Sequence, residues 1–130
     1  MQAYTPGETG LNRWISRSKN VEFVGKTPAL KELSEGKKAL QKTLITLEIE
    51  DAEVEANGYE PIWSKNNQRI GMTTSGGYGH NVGKSLAMAF VAPEISEPGI
   101  ELKTHIVGKE KSCIVLGNSP WDPEGSRMRS

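Results

Sequence analysis

Between residues 45 and 50 the chain alternates apolar and polar side chains. Ile45, Leu47 and Ile49 fall on one side, and Thr46, Glu48 and Glu50 on the other. A period of two sorts residues onto the two faces of an extended strand and onto no face of a helix. The pattern returns at Ile100, Leu102, Thr104 and Ile106, with Glu101, Lys103 and His105 between them. Pro61-Ile62-Trp63 reads as a short strand, Lys65-Asn66-Asn67-Gln68 as a hairpin turn, and Arg69 to Met72 as the return. Thr73 to Gly79 reads as a glycine-rich loop. Ser85 to Val91 reads as a buried strand that stops at Ala92-Pro93. Gly108-Lys109-Glu110 turns the chain, and Ser112 to Leu116 runs back. Short strands separated by Gly and Pro predict a mainly β fold, a small antiparallel, Greek-key-like barrel of about six strands.

The first forty residues differ. Residues 1–24 read as irregular or extended, with Leu11, Trp14 and Ile15 set among Arg13, Arg17 and Lys19. Their apolar side chains need partners that the following segment alone does not supply. Thr27-Pro28 resembles a helix opening, a threonine cap followed by proline. Ala29, Leu30 and Leu33 follow at helical spacing, and Gly36 marks the end. The boundary between helical and strand periods falls near residues 36–43. The expected domains are therefore residues 1–40 and a barrel over 41–130.

A chain of 130 residues suits one compact domain or one and a fraction, and at this size folding buries roughly 68–70% of the unfolded surface. Sixteen basic residues balance sixteen acidic ones. That balance gives no reason to expect a nucleic acid or an anionic membrane as partner. No apolar run reaches the roughly 20 residues of a membrane span, and the first ten residues lack the apolar core of a signal peptide. The lone cysteine, Cys113, lies beside Ile114, Val115 and Leu116 and reads as a buried structural thiol.

Several motifs imitate chemistry without supporting it. Gly83-Lys84-Ser85 matches the end of a phosphate-binding loop, but the glycine that loop requires five positions earlier is Tyr78. Val82 stands where a dinucleotide fingerprint needs its third glycine. His80 and His105 have no carboxylate or cysteine at metal spacing, and no Gly-x-Ser-x-Gly is present. The run Glu48, Glu50, Asp51, Glu53, Glu55 reads as a solvated strand end, and Trp14, Trp63 and Trp121 as packing anchors. No catalytic or metal-ligating residue is assigned.

Read together, the segments look like one family. Thr5-Pro6-Gly7-Glu8-Thr9-Gly10-Leu11 followed by Glu22-Phe23-Val24-Gly25-Lys26 resembles the late part of the aminomethyltransferase (glycine cleavage T-protein) superfamily. Thr73-Thr74-Ser75-Gly76, Val82 to Val91, Pro98-Gly99 and Pro120-Trp121-Asp122-Pro123 are similar to its barrel. Asn57-Gly58-Tyr59-Glu60-Pro61-Ile62 and Gly76-Gly77-Tyr78-Gly79-His80 look most like the dimethylglycine and sarcosine dehydrogenase branch. There the module follows an FAD-dependent amine oxidoreductase domain.

The resemblance implies a C-terminal module of a tetrahydrofolate-dependent enzyme of methylamine catabolism, inactive alone, with folate-binding and FAD domains upstream as its partners. Residues 1–40 would then be the trailing end of the folate-binding domain, and Met1 an internal methionine. Arg17 or Lys19 and the tail around Ser126 and Arg127 would face the anionic glutamate end of tetrahydrofolate. FAD would be bound elsewhere in the parent chain. Arg13 departs from the family, which often has an aromatic residue there. The implied location is the cytoplasm, or the mitochondrial matrix in a eukaryote. The alternatives are a T-protein or a folate-dependent demethylase without flavin, and a non-catalytic β-barrel that binds another chain.

Overall fold

In a computed structural model of the chain, residues 4–51, 53–117 and 119–129 are described. Met1 lies outside them. Six strands form a closed antiparallel barrel: β1 (Thr43–Ile49), β2 (Pro61–Trp63), β3 (Arg69–Gly79), β4 (Lys84–Val91), β5 (Glu101–Ile106) and β6 (Lys109–Leu116). Their spatial order is β1-β4-β3-β2-β5-β6, and β6 pairs back onto β1. Strands β2, β3 and β4 follow one another through hairpins, and β5 returns beside β2, which is Greek-key connectivity. Closure leaves no free sheet edge.

The alternation seen in the sequence becomes the barrel interior. Ile45, Leu47 and Ile49 point inward from β1, opposite Ala89, Ala87 and Ser85 of β4. Large residues face small ones because a six-stranded barrel has little interior to fill. Leu47 is fully buried, which contributes about 1.5–3 kcal/mol relative to exposure. Ala56, Ile62, Val91, Leu102, Ile106, Cys113 and Val115 complete the core. The polar residues buried with them are bonded. The Ser85 hydroxyl donates to the Val54 carbonyl at 2.5 Å, and the Thr104 hydroxyl to the Pro61 carbonyl at 3.3 Å.

Three local expectations are corrected. Residues Thr73 to Gly79 are not a loop but the second half of β3, paired with β4 from Thr73↔Ala89 to Gly79↔Lys84. The glycines there serve close approach rather than a turn. A Cβ at Gly76 would collide with the carbonyl oxygen of Ala56, in the segment crossing above it. The ladder shifts register between Thr73 and Ser75, a bulge that bends the strand at the crossing. Helix α1 spans Lys26–Glu35, so Thr27 is inside it, not at its cap. Gly25, at φ 83°, enters the helix in a left-handed conformation that glycine adopts without strain. Gly36, at φ 65°, ends it as expected. Strand β6 begins at Lys109, three residues before Ser112, because the turn is made by Val107 and Gly108.

The segment before the barrel is tied to it. Thr5 and Glu8 bond reciprocally: the Thr5 amide donates to the Glu8 carboxylate at 3.1 Å, and the Glu8 amide to the Thr5 hydroxyl at 3.2 Å. The Leu44 amide, on β1, donates to the Glu8 carbonyl at 2.8 Å. The Gly7 amide donates to the Glu32 carboxylate of α1 at 2.9 Å, and Tyr4 stacks on Phe90 of β4 at 4.1 Å. Lys37 pairs with Glu97 at 2.5 Å. Even so, Leu11, Trp14, Val21, Phe23 and Val24 remain exposed, and α1 buries no residue fully. No helix among the described residues is long and apolar enough to cross a membrane.

Candidate functional site

The short 3-10 turn Asn12–Trp14 and the tail from Ser119 to Arg129 enclose a groove of about 870 Å³. Arg13 and Trp14 line it from the turn, and Trp121 and Arg127 from the tail. Each arginine lies over a tryptophan. The Arg13 guanidinium carbon is 4.9 Å from the Trp14 ring centre, and that of Arg127 is 4.5 Å from Trp121. At exposed sites such contacts stabilise by about 0.5–1 kcal/mol each. Trp14 and Trp121 are 73% and 40% exposed, so these two are not the packing anchors expected from the sequence. Both line the groove instead.

The tail is shaped by one carboxylate. Asp122 sits at φ 45° and accepts hydrogen bonds from the Ser126 amide at 2.9 Å, the Ser126 hydroxyl at 3.0 Å and the Arg127 amide at 3.1 Å. Aspartate is suited to this because its short carboxylate bonds its own downstream backbone and tolerates positive φ. The Arg129 guanidinium donates to the Glu124 carbonyl. These bonds fix the turn that carries Arg127.

Of the residues implicated by resemblance, Arg127 is in this groove. Arg17 and Lys19 are exposed beyond Trp14 and do not line it. The structure thus brings Arg127 together with Arg13 and Trp14, across more than a hundred residues of sequence. The sequence signals for it are the basic group Arg13, Arg17 and Lys19, the adjacent Arg13-Trp14, and Trp121 and Arg127 near the other end.

The motifs set aside earlier have structural roles. Gly83, at φ 67°, makes the β3–β4 turn; Lys84 pairs with Glu48 across the sheet at 2.7 Å, and Ser85 is buried. A strand follows them, not the helix of a phosphate site. His80 rests edge-on against Tyr78 at 5.1 Å, and His105 lies 3.6 Å from Glu110. Cys113 is fully buried, and loss of solvation, with the Glu50 charge adding to it, pushes its thiol up to about 12, which leaves it an unreactive thiol. Within the acidic run, Asp51 pairs with Lys111 at 2.5 Å, and that bond with the Glu53 amide holds its carboxyl below the ordinary value. No cluster of potential metal ligands occurs among the described residues. A second, more apolar hollow of about 950 Å³ lies between Tyr4 and the β3–β4 face and shares no residue with the arginine–tryptophan groove.

Residues 42–122 match the family described as the glycine cleavage T-protein C-terminal barrel domain. The chain is similar to a mitochondrial dimethylglycine dehydrogenase of Rattus norvegicus, 36% identical over 124 residues. That match covers 95% of this chain and 14% of the relative. It is also similar to a probable aminomethyltransferase of Thermococcus kodakarensis, 32% identical over 120 residues, covering 92% of the chain and 28% of the relative. The crystal structure of glycine cleavage system aminomethyltransferase T from Bartonella henselae superposes with a TM-score of 0.75 at 23% identity, over 87% of this chain and 31% of that one. This last likeness is one of fold.

Proposed function

The chain belongs to the glycine cleavage T-protein C-terminal barrel family, and on that premise we propose that it closes one side of a tetrahydrofolate cavity in a methylamine-catabolising enzyme of the dimethylglycine or sarcosine dehydrogenase kind. The observation that carries this reading is the groove in which Arg13–Trp14 and Trp121–Arg127 face a common space. Its residues suit the anionic, aromatic end of a folate. Guanidinium groups offer forked donors to carboxylates, and indole faces accept a planar ring. Arg17 and Lys19, exposed on the same segment, add positive charge to it.

In this reading residues 1–40 are the trailing end of a folate-binding domain, and the exposed Leu11, Phe23 and Val24 pack against that domain's remainder. The upstream partners would be that folate domain and an FAD domain. Bound tetrahydrofolate supplies the acceptor for the one-carbon unit released from the amine. The barrel contributes walls, excludes water and orients the acceptor's anionic end. The chain supplies no catalytic residue and is inactive alone. Its location would be the mitochondrial matrix in a eukaryote and the cytoplasm otherwise. A T-protein or folate-dependent demethylase without flavin would use the same groove in the same way.

Calorimetric titration with (6S)-5-formyltetrahydrofolate tests this reading on the intact native polypeptide and on the 130-residue chain. The intact polypeptide should bind, and the chain alone should bind at least a hundredfold more weakly. Equal affinity for both would place the whole cavity in this chain, and no binding to either would end the folate reading.

A further inference from the structure

Asn57-Gly58, in the segment between β1 and β2, is the one Asn-Gly pair in the sequence. Asparagine is a chemically labile residue, and a following glycine leaves its own backbone nitrogen unshielded by any side chain. The fold demands that glycine. Gly58 sits at φ 100°, and a Cβ there would lie 2.7 Å from the Thr74 carbonyl oxygen of β3. Asn57 is exposed, so water reaches its side chain. The segment therefore carries a labile pair whose second member is dictated by the crossing with β3.

The conversion of such a pair starts at the glycine nitrogen. Solvent base removes the proton of the Gly58 amide, and the nitrogen attacks Cγ of Asn57. The bond from Cγ to Nδ2 breaks, and ammonia leaves. The cyclic imide takes up one water and opens at either carbonyl, to aspartate or to isoaspartate. In sum, an amide and water give a carboxylate and ammonia, with no oxidant or reductant.

In the folded chain that nitrogen is held. The Gly58 amide donates to one oxygen of the Glu60 carboxylate at 2.9 Å, and the Asn57 amide donates to the other at 2.9 Å. The Thr73 hydroxyl anchors the same carboxylate from β3 at 2.7 Å, and the Tyr59 amide donates to the Thr73 carbonyl at 2.8 Å. Burial opposes the charged form of Glu60, but the Asn57, Thr73 and Gly58 bonds keep its carboxyl below the ordinary value, so it does not take the Gly58 proton itself. Its negative charge also faces the nitrogen that must become negative, which opposes the first step. The bond and the charge act in the same direction.

We propose that Asn57 is a latent deamidation site, and that the Glu60 carboxylate keeps it closed by holding the Gly58 amide. Opening of this clamp frees the nitrogen and starts the conversion. The product places a second carboxylate beside that of Glu60. Its isoaspartyl form also adds a backbone atom next to Ala56, which is buried in the core and packed against Gly76. The clamp does not reseat on that lengthened backbone, so the change is one-way.

The test follows Asn57 in the intact native polypeptide incubated at neutral pH. Peptide mapping by mass spectrometry, with the aspartate and isoaspartate forms separated by chromatography, gives the rate at this position. Folded wild type should convert at least about 10-fold more slowly than the same polypeptide in urea. Glu60→Gln removes the charge and leaves one amide without its acceptor, and should convert at least about 10-fold faster than folded wild type. Thr73→Val loosens the carboxylate but spares both amide bonds, and should fall between the two. Leu47→Val weakens the core away from the clamp, and should stay within about 2-fold of wild type. A Glu60→Gln rate equal to wild type overturns the proposal. So does a Leu47→Val rate equal to that of Glu60→Gln, which would assign the protection to overall stability. If Glu60→Gln does not fold, Thr73→Val and Leu47→Val decide, and equal rates in those two overturn it.

Discussion

Glu60 and Thr73 hold each other reciprocally. The Thr73 hydroxyl donates to the Glu60 carboxylate at 2.7 Å, and the Glu60 amide donates to the Thr73 hydroxyl at 2.9 Å. The same carboxylate accepts the amides of Asn57 and Gly58, both at 2.9 Å. One side chain thus fastens the segment between β1 and β2 across the bulge of β3, where Thr73 is 1% exposed. Thr73→Val keeps the shape and removes the hydroxyl, leaving the Glu60 amide without its partner. It should cost about 1–3 kcal/mol in urea unfolding, whereas Thr73→Ser should cost clearly less.

The Glu60 carboxyl also sets part of the acid sensitivity. Burial works against its charged form, but the Asn57 amide, the Thr73 hydroxyl and the Gly58 amide outweigh that and hold it below its ordinary value of 4.5. A depressed folded value means that the stabilisation is present in full above the unfolded value. It is lost as pH falls from about 4.5 through the lower folded value. Asp51, Glu101 and Glu110 are lowered as well, by Lys111, Lys65 and Lys103 respectively, so the wild-type chain has several contributors. The difference between wild type and Glu60→Gln isolates this one. The gap in stability should be largest at neutral pH and narrow as pH falls below 4.5; a gap independent of pH would remove Glu60 from the account.

Gly76 and Gly77 are neighbours in β3 with opposite expectations. A Cβ at Gly76 runs into the Ala56 backbone, and one at Gly77 meets nothing within 4 Å. Gly76→Ala should destabilise by about 1–3 kcal/mol, and Gly77→Ala should stay within about 0.5 kcal/mol of wild type. Thermal unfolding of the two variants, measured together, checks both the strand assignment and the crossing segment above it.

Val107 carries strain at the tip of the β5–β6 hairpin. It sits at φ 50° and is 84% exposed, a conformation that β-branched residues avoid and asparagine accepts. Val107→Asn should raise stability by about 1 kcal/mol. A loss instead would mean that the valine makes a contact worth more than its strain.

These cases also show where sequence reasoning reaches. The β1 and β5 faces were legible because burial on one side of a strand leaves a period of two, at Ile45-Leu47-Ile49 and at Leu102-Thr104-Ile106. The second half of β3 was not, because Ser75-Gly76-Gly77 has the composition of a turn while its glycines answer to a backbone crossing from Ala56, twenty residues earlier. The start of α1 was misplaced because Gly25 enters it through backbone conformation, with no side-chain cap to read. Arg127 was reached through resemblance. Arg13 was reached too, as part of the basic group with Arg17 and Lys19; that it shares a groove with Arg127, and that Trp14 and Trp121 line it, was not, since this depends on how the two ends of the chain fold back against one another.

Hydrogen exchange on the intact native polypeptide, with and without saturating (6S)-5-formyltetrahydrofolate, tests most directly whether this chain walls a folate cavity. The account predicts slowed exchange in residues 12–15 and 119–129, with the Val107–Gly108 turn unchanged as an internal reference. Bound ligand with no change in either of those two segments would contradict it.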